Sequence, residues 1–349
     1  MKDCSYTDSD MEEMVRRMHV CIDHGFNSFQ IRSSDDDSAA ATTSTALYGM
    51  MQKKTPSSLI QKCVLGGISV KPPGAKESWL FGADVVRNQI SSALLQTGTD
   101  CLDSVHLHYD KNSPYHLETL DLLRDMQREG KILSISGRDM PTQILDDAKR
   151  DLTFQFDSNQ VVCNVVDQRK LNDAQPHCME KGMNMWISRP LMGGLLSNRY
   201  LEEMEEPLPS QLTKSQKGHI KVIRKWAKDG KELPWRMFHR HALNTLADIA
   251  SKYEVSIAAV ALRWAVEMEG AGSVVVGTQL LSREDSSHRP RALRDVFRFA
   301  LDEKDKERIK VVAQQGTTGI AVPMSPYEEE KYLYELEKHR LLSNKSLWI

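Results

Sequence analysis

The chain has 349 residues, 46 of them basic and 48 acidic, for a formal net charge of −2. That length suits one large α/β barrel or two modest domains, and 40% hydrophobic residues supply a sizeable core. The near-balance of charge argues against a general nucleic-acid or membrane-surface binder, and no apolar run approaches the roughly 18 residues of a membrane span.

Short apolar runs alternate with segments of helical period, the pattern of repeated β/α units around a parallel sheet. Met14, Val15, Met18, Cys21 and Ile22 form the apolar face of a first helix, with Asp8 and Ser9 as capping candidates and Gly25 at its end. The first ten residues contain no apolar segment of the secretory type. A strand over Phe26 to Ile31 follows, then a Ser/Asp/Ala/Thr-rich loop from Ser33 to Thr45. Cys63 to Val70 reads as a buried strand, Gly82 to Gln96 as a helix and Leu102 to His108 as a strand. The next helix, Leu117 to Arg128, stops at Gly130, and a strand over Lys131 to Ser136 leads to a short helix after Pro141. Strands at Gln160 to Val166 and Met183 to Ser188 flank a helix around Asp173 to Lys181. A polar excursion, Asn198 to Leu233, reads as decoration rather than as barrel. Helices at Ala242 to Tyr253 and Ile257 to Glu267, the latter capped by Ser256, precede a strand at Ser273 to Val276 that ends at Gly277. A helix after Asp302 closes the globular part, and Tyr327 to Leu342 has the period of a packed surface helix. Cys4, Cys21, Cys63, Cys101, Cys163 and Cys178 lack CxxC spacing, which fits reduced thiols rather than a disulfide framework or a zinc site.

Six motifs in order resemble the aldo-keto reductase family. They are Leu102 to Asp110 (LDSVHLHYD), Gln127 to Ile132 (QREGKI), Ser158 to Asn164 (SNQVVCN), Pro190 to Leu196 (PLMGGLL), Val260 to Trp264 (VALRW) and Val274 to Gly277 (VVVG). The likeness runs from about Met11 to Ala313. It implies a (β/α)8 TIM barrel with its active site at the C-terminal ends of the strands. It also implies reduction of aldehydes or ketones by NADP(H). There, a Tyr acid, tuned by a Lys paired with an Asp, protonates the carbonyl, and a His orients the substrate.

Three of those four positions are changed. His108 alone is retained; Gln30 stands at the Asp position, Asp35 at the Tyr position and Ile68 at the Lys position. Tyr48-Gly49 sits inside a helical pattern 18 positions beyond Gln30, and Lys71 precedes Pro72 in a turn, so neither is a natural replacement. His106 shares a strand face with His108, but two histidines without a third ligand make no metal site. The cofactor positions implied by the resemblance are Arg138, Asp139, Gln160, Asn164, Ser188, Leu191, Gly193, Gly277 and Arg283. Among them Arg138-Asp139 replaces a Ser-Asn pair, and Ser188 replaces the ring that stacks on the nicotinamide.

The first helix begins so early that the family's first barrel strand has no room. The expectation is therefore either an incomplete or processed chain or a barrel that lacks its own first strand, spanning residues 9–322, with residues 198–233 inserted and a helical tail over 323–349. Two readings of function stay open. One is an impaired barrel serving as a structural, regulatory or nucleotide-sensing subunit, with a protein partner at the exposed barrel edge or the tail. The other is an NADP(H)-dependent oxidoreductase with an atypical site. The expected compartment is the cytoplasm, or an organelle if a transit peptide has been removed.

Overall fold

The computed structural model describes residues 7–32, 39–55, 62–68, 82–109, 117–225, 233–277 and 293–317. Asp35, Lys71, Arg283 and the tail helix lie outside them. The chain forms two compact units. The first comprises Met1–Cys163, Lys170–Ser188 and Val266–Arg298, and the second Asn164–Arg169, Arg189–Ala265 and Phe299–Ile349.

The first unit holds all seven strands found among the described residues: β1 Ser28–Arg32, β2 Lys62–Ile68, β3 Leu102–His108, β4 Ile132–Arg138, β5 Ser158–Val162, β6 Asn184–Ser188 and β7 Ala271–Val275. Each pairs in parallel with its sequence neighbour, in the order β1 to β7. Between them run α1 Asp8–Asp23, α2 Ala39–Lys54, α3 Gly82–Thr97, α4 Leu117–Arg128, α5 Thr142–Leu152 and α6 Ala174–Lys181. Among the described residues this is the expected α/β barrel sheet with one strand fewer than eight. Among the described residues no strand precedes α1, so β1 and β7 are the sheet edges.

The helical stripe of α1 is as anticipated: Met14, Val15, Met18, Cys21 and Ile22 are all buried. Each such side chain stabilises by roughly 1.5–3 kcal/mol relative to exposure. Its cap differs from expectation. Thr7 closes a capping box with Asp10, because only a residue still in extended conformation can turn its hydroxyl back to a first-turn N–H. The second half of the Ser33 to Thr45 loop is also helical, since α2 begins at Ala39. Here Ala and Thr follow the aspartates, and nothing in residues 39–45 breaks a helix.

The strands show which way their residues face. Val105 and Leu107 of β3 point to the helix layer and are fully buried, whereas Ser104, His106 and His108 share the opposite face. Gln30 Nε2 on β1 donates to Gln160 Oε1 on β5 at 2.9 Å. In a flat sheet those strands would stand about 19 Å apart, four spacings of about 4.8 Å. The face they share is therefore the concave side of a curled sheet.

The second unit is helical: α7 Lys214–Arg224, α8 Pro234–Phe238, a π-helical turn His239–Leu243, α9 Asn244–Tyr253, most of α10 Ile257–Val266, and α11 Glu303–Thr317. The Ser256 hydroxyl caps α10 by accepting from Ala259 N at 3.1 Å, as expected. The Asn198 to Leu233 excursion is not decoration. Tyr200, Leu212, Ile220 and Ile223 from it enter the same core as Trp235, Phe238 and Leu246. Tyr200 meets Trp235 edge-on at 5.8 Å between ring centres. The excursion also contributes a buried ion pair, Glu206 Oε1 to Arg224 Nη2 at 2.6 Å.

Candidate functional site

The concave face of β3 to β5 is polar. The Ser134 hydroxyl donates to Ser104 Oγ at 2.8 Å, Ser104 and Ser136 Oγ lie 3.3 Å apart, and Ser158 donates to Ser136 Oγ at 2.7 Å. One residue pair further along the strands sits a second layer. His106 Nδ1 lies 2.8 Å from Gln160 Oε1, the oxygen that also accepts from Gln30. Gln160 Nε2 returns a long bond to Gln30 Oε1 at 3.5 Å. TIM barrels commonly fill such layers with branched aliphatic side chains. Here cross-strand hydrogen bonds replace them, which a buried polar face requires.

This network fixes the tautomer of His106. Its Nδ1 faces an oxygen and must carry the proton, so Nε2 presents a bare lone pair. His106 is fully buried, and its Nε2 has no hydrogen-bond partner. Burial pushes the imidazole down to about 4; the Gln160 contact opposes this, and the charge of Arg138 adds to it. The ring rests edge-on against Trp186 of β6, 4.7 Å between centres. His106 is therefore a neutral acceptor at ordinary pH, not an acid.

The end of β2 is rebuilt. The register slips between Gly66 and Ile68, so that Gly66 pairs with His106 while Ile68 pairs with Leu107. Ile68 therefore shares the face of Leu107, toward the helices, and is fully buried. The extra residue is Gly67, at φ +76°, a left-handed conformation that glycine adopts without strain. No β2 side chain thus occupies the concave face at this level. Two side chains from other strands take the space. The Gln30 amide covers Gly66, and Arg138 Nη1 lies against Gly67.

The remaining residues singled out from sequence divide between the two units. His108 ends β3 in register with Arg138 and is exposed, unlike the buried His106. Asp139, at φ 53°, accepts from Val162 N at 3.3 Å. The Ser188 hydroxyl donates to Val161 O at 3.0 Å, and Gly277 follows β7 at an exposed position. In the second unit, Asn164 Oδ1 accepts from Val166 N and Asp167 N at 3.1 and 2.9 Å. Leu191 packs on that unit's core, and Gly193 lies in a 3₁₀ turn at φ +68°. Structure therefore joins Gln30 and Gln160 in one hydrogen-bonded network, with Arg138 nearby against Gly67, and His106, not His108, is the histidine at its centre.

Tyr48 is no substitute acid. It is fully buried on α2, its oxygen accepts from Gln52 Nε2 at 2.7 Å, and burial drives its hydroxyl above the ordinary tyrosine range. Among the described residues no three His, Cys, Asp or Glu side chains converge as a metal would need. Sequence reasoning missed the serine ladder and the role of His106. The available signals were serine or histidine at alternate positions in β3 and β4, and a Gly-Gly pair inside an apolar strand.

The Aldo/keto reductase family profile matches residues 3–314. An NADH-specific methylglyoxal reductase of Escherichia coli is 25% identical over 116 residues, 32% of this chain and 35% of that enzyme. The chain thus matches only about a third of that relative's length. A glycerol dehydrogenase of Gluconobacter oxydans superimposes with a TM-score of 0.69 at 16% identity, covering 92% of this chain and 90% of that one. An aldo/keto reductase from Brucella melitensis gives 0.58 at 15% identity, over 86% and 90% of the two chains. At such identities the structural likeness concerns the fold.

Proposed function

Since this chain belongs to the aldo/keto reductase family, we propose that it keeps the family's barrel sheet but not its carbonyl reduction, and acts as a non-catalytic subunit of structural, regulatory or nucleotide-sensing type. The observation that carries this reading is the end of β2. The position aligned with the tetrad lysine is Ile68, turned to the helices and buried. The aspartate position holds Gln30, whose amide is spent on Gln160 and bears no charge to hold a lysine. General acid catalysis supplies roughly 10²–10⁴-fold on its own, and its tuning pair is gone.

The nicotinamide half of NADP(H) fits these residues poorly. Ser188 offers no stacking ring, and its hydroxyl is already bonded to Val161. The Arg138 charge also disfavours the cationic oxidised ring. A nucleotide that binds here would be held mainly through other groups. Partner docking fits the two sheet edges: among the described residues β1 pairs only with β2, and β7 only with β6. A strand added to either edge would satisfy its unpaired backbone groups.

The test is steady-state oxidation of NADPH and of NADH with methylglyoxal and glyceraldehyde. Rates indistinguishable from buffer support the reading, and turnover that His108→Ala abolishes overturns it. That second outcome would favour an oxidoreductase with an atypical site, the reading supported by exposed His108 at the strand end.

A further inference from the structure

At the N-terminal ends of β5 and β6, the opposite end of the sheet from the site above, α5 and α6 line a cavity of about 380 Å³. That volume lies within the range of small-molecule pockets. Its apolar lining is Leu145 of α5, Phe156 before β5 and Met183 before β6, all buried. The cations that line it are already engaged. Lys149 Nζ donates to Gln155 Oε1 at 2.8 Å, Arg150 pairs with Asp147 at 2.8 Å and with Asp151 at 2.6 Å, and Lys181 pairs with Glu180 at 2.9 Å. His177 of α6 also lines the cavity, and its side chain is only 10% exposed. Its Nε2 lies 3.0 Å from Asp146 Oδ1 on α5, a contact that holds the Asp146 carboxyl below its ordinary range. An ionised carboxylate can only accept, so Nε2 carries a proton and the neutral imidazole presents a bare lone pair at Nδ1. Among the described residues Nδ1 is buried and has no partner. An unmet buried acceptor is costly, and a hydroxyl brought by a ligand recovers that cost.

We propose that this cavity binds a small neutral phenol, with its ring against Leu145, Phe156 and Met183 and its hydroxyl donating to His177 Nδ1. A ring suits that lining, because aromatic pairs pack edge to face and a thioether sulfur contacts a ring edge favourably. A neutral donor suits the polar part, where the cations have partners and the one unmet atom is an acceptor. The inference is independent of the non-reducing reading, since it involves none of the residues at the strand ends that carry the family's chemistry.

The experiment titrates the full chain with three probes, followed by fluorine NMR of the probe: 4-fluorophenol, 4-fluoroanisole, which keeps the ring but has no O–H, and 4-fluorobenzoate, which is an anion. The expected result is saturable binding of the phenol, at least tenfold tighter than of the anisole or the benzoate. His177→Phe keeps an aromatic ring and removes Nδ1, and it should abolish the preference for phenol over anisole. Asp146→Asn still offers Nε2 an oxygen, and it should preserve that preference. Circular dichroism confirms that each variant is folded, and the comparison of probes on the wild-type chain needs no variant at all. Failure of the phenol to saturate, equal affinity for phenol and anisole, or tighter binding of the benzoate overturns the assignment. Equal phenol affinity in wild type and folded His177→Phe overturns it as well, by placing the phenol elsewhere.

Discussion

Replacing Gly66 by alanine should destabilise the protein, and the reason is one side chain. The added methyl would lie 2.8 Å from Gln30 Cδ and 2.9 Å from Cγ, where carbon contacts prefer about 3.5–4.0 Å. Gln30 must withdraw by about 1 Å, which breaks its 2.9 Å bond to Gln160. Gln160 is 2% exposed and then loses one donor to its oxygen and the partner of its nitrogen. One lost hydrogen bond of about 1 kcal/mol, with a share of the roughly 1–3 kcal/mol of an unsatisfied buried group, puts the cost near 2 kcal/mol. Gly66 is not among the residues with positive φ, so alanine itself is tolerated there. In a Gln30→Ala background the methyl meets no glutamine, and the same substitution should become neutral or stabilise by about 0.5 kcal/mol. Urea midpoints of the four proteins of this cycle measure the coupling, expected at about 2 kcal/mol. A Gly66→Ala cost that is the same in both backgrounds would refute the packing described for the end of β2.

The buried imidazole of His106 makes stability depend on pH. An unfolded histidine titrates near 6.5 and the folded one near 4. The folded state therefore takes up its proton later, and stability present above pH 6.5 is lost as pH falls toward 4, by about 3 kcal/mol. His106→Asn keeps a donor to Gln160 and should flatten that slope in urea midpoints taken from pH 7 to 4.5; an unchanged slope would locate the effect elsewhere. The second unit's His219, held down to about 4 by burial, supplies a residual slope of the same sign. Glu206→Ala should cost about 3–5 kcal/mol, because it removes one side of a buried ion pair whose arginine is only 8% exposed; thermal melts showing under 1 kcal/mol would contradict this. Burial pushes the thiols of Cys63 up to about 12 and of Cys21 and Cys178 up to about 11. Among these and half-exposed Cys101, only Cys101 should react with a disulfide reagent in native protein. Mass mapping that finds Cys63 labelled before unfolding would count against that burial.

Some elements could be read directly from the chain. β3 and α4 run from Leu102 to His108 and from Leu117 to Arg128 as anticipated, because an apolar run or stripe met clear punctuation at each end. β4 continues two residues beyond Ser136 to Arg138, because an arginine at a barrel mouth is polar at its tip yet still lies in the strand. β5 lies earlier than its apolar run suggests, at Ser158–Val162. Its first residues are polar, but neighbouring strands satisfy them. The core role of the excursion was hidden because the buried stripe of α7 mixes Ile220 and Ile223 with Gln216, His219 and Arg224. At the site, motif alignment identified Gln30, Gln160, Arg138 and Ile68 as the residues that matter. It could not show that Gln30 reaches Gln160 across 130 positions, or that a one-residue bulge turns Ile68 away and admits an arginine from β4. Both follow from sheet curl and register, which local composition does not encode.

Among the described residues the sheet has edges at β1 and β7, and such a sheet differs from a closed barrel in how it can be made. Closing a ring of strands requires joining its two ends, a pairing between distant parts of the chain whose loop-closure entropy is met late in folding. Here every strand in the described residues pairs with its sequence neighbour, from Ser136 with Ser158 to Met185 with Ala271. Each new strand can add to a template already formed. As the chain leaves the ribosome, β1 to β6 can assemble in the order of synthesis, while β7 waits for the long second-unit segment that precedes it. Until that strand arrives, the growing edge at β6 is the surface a chaperone would need to shield.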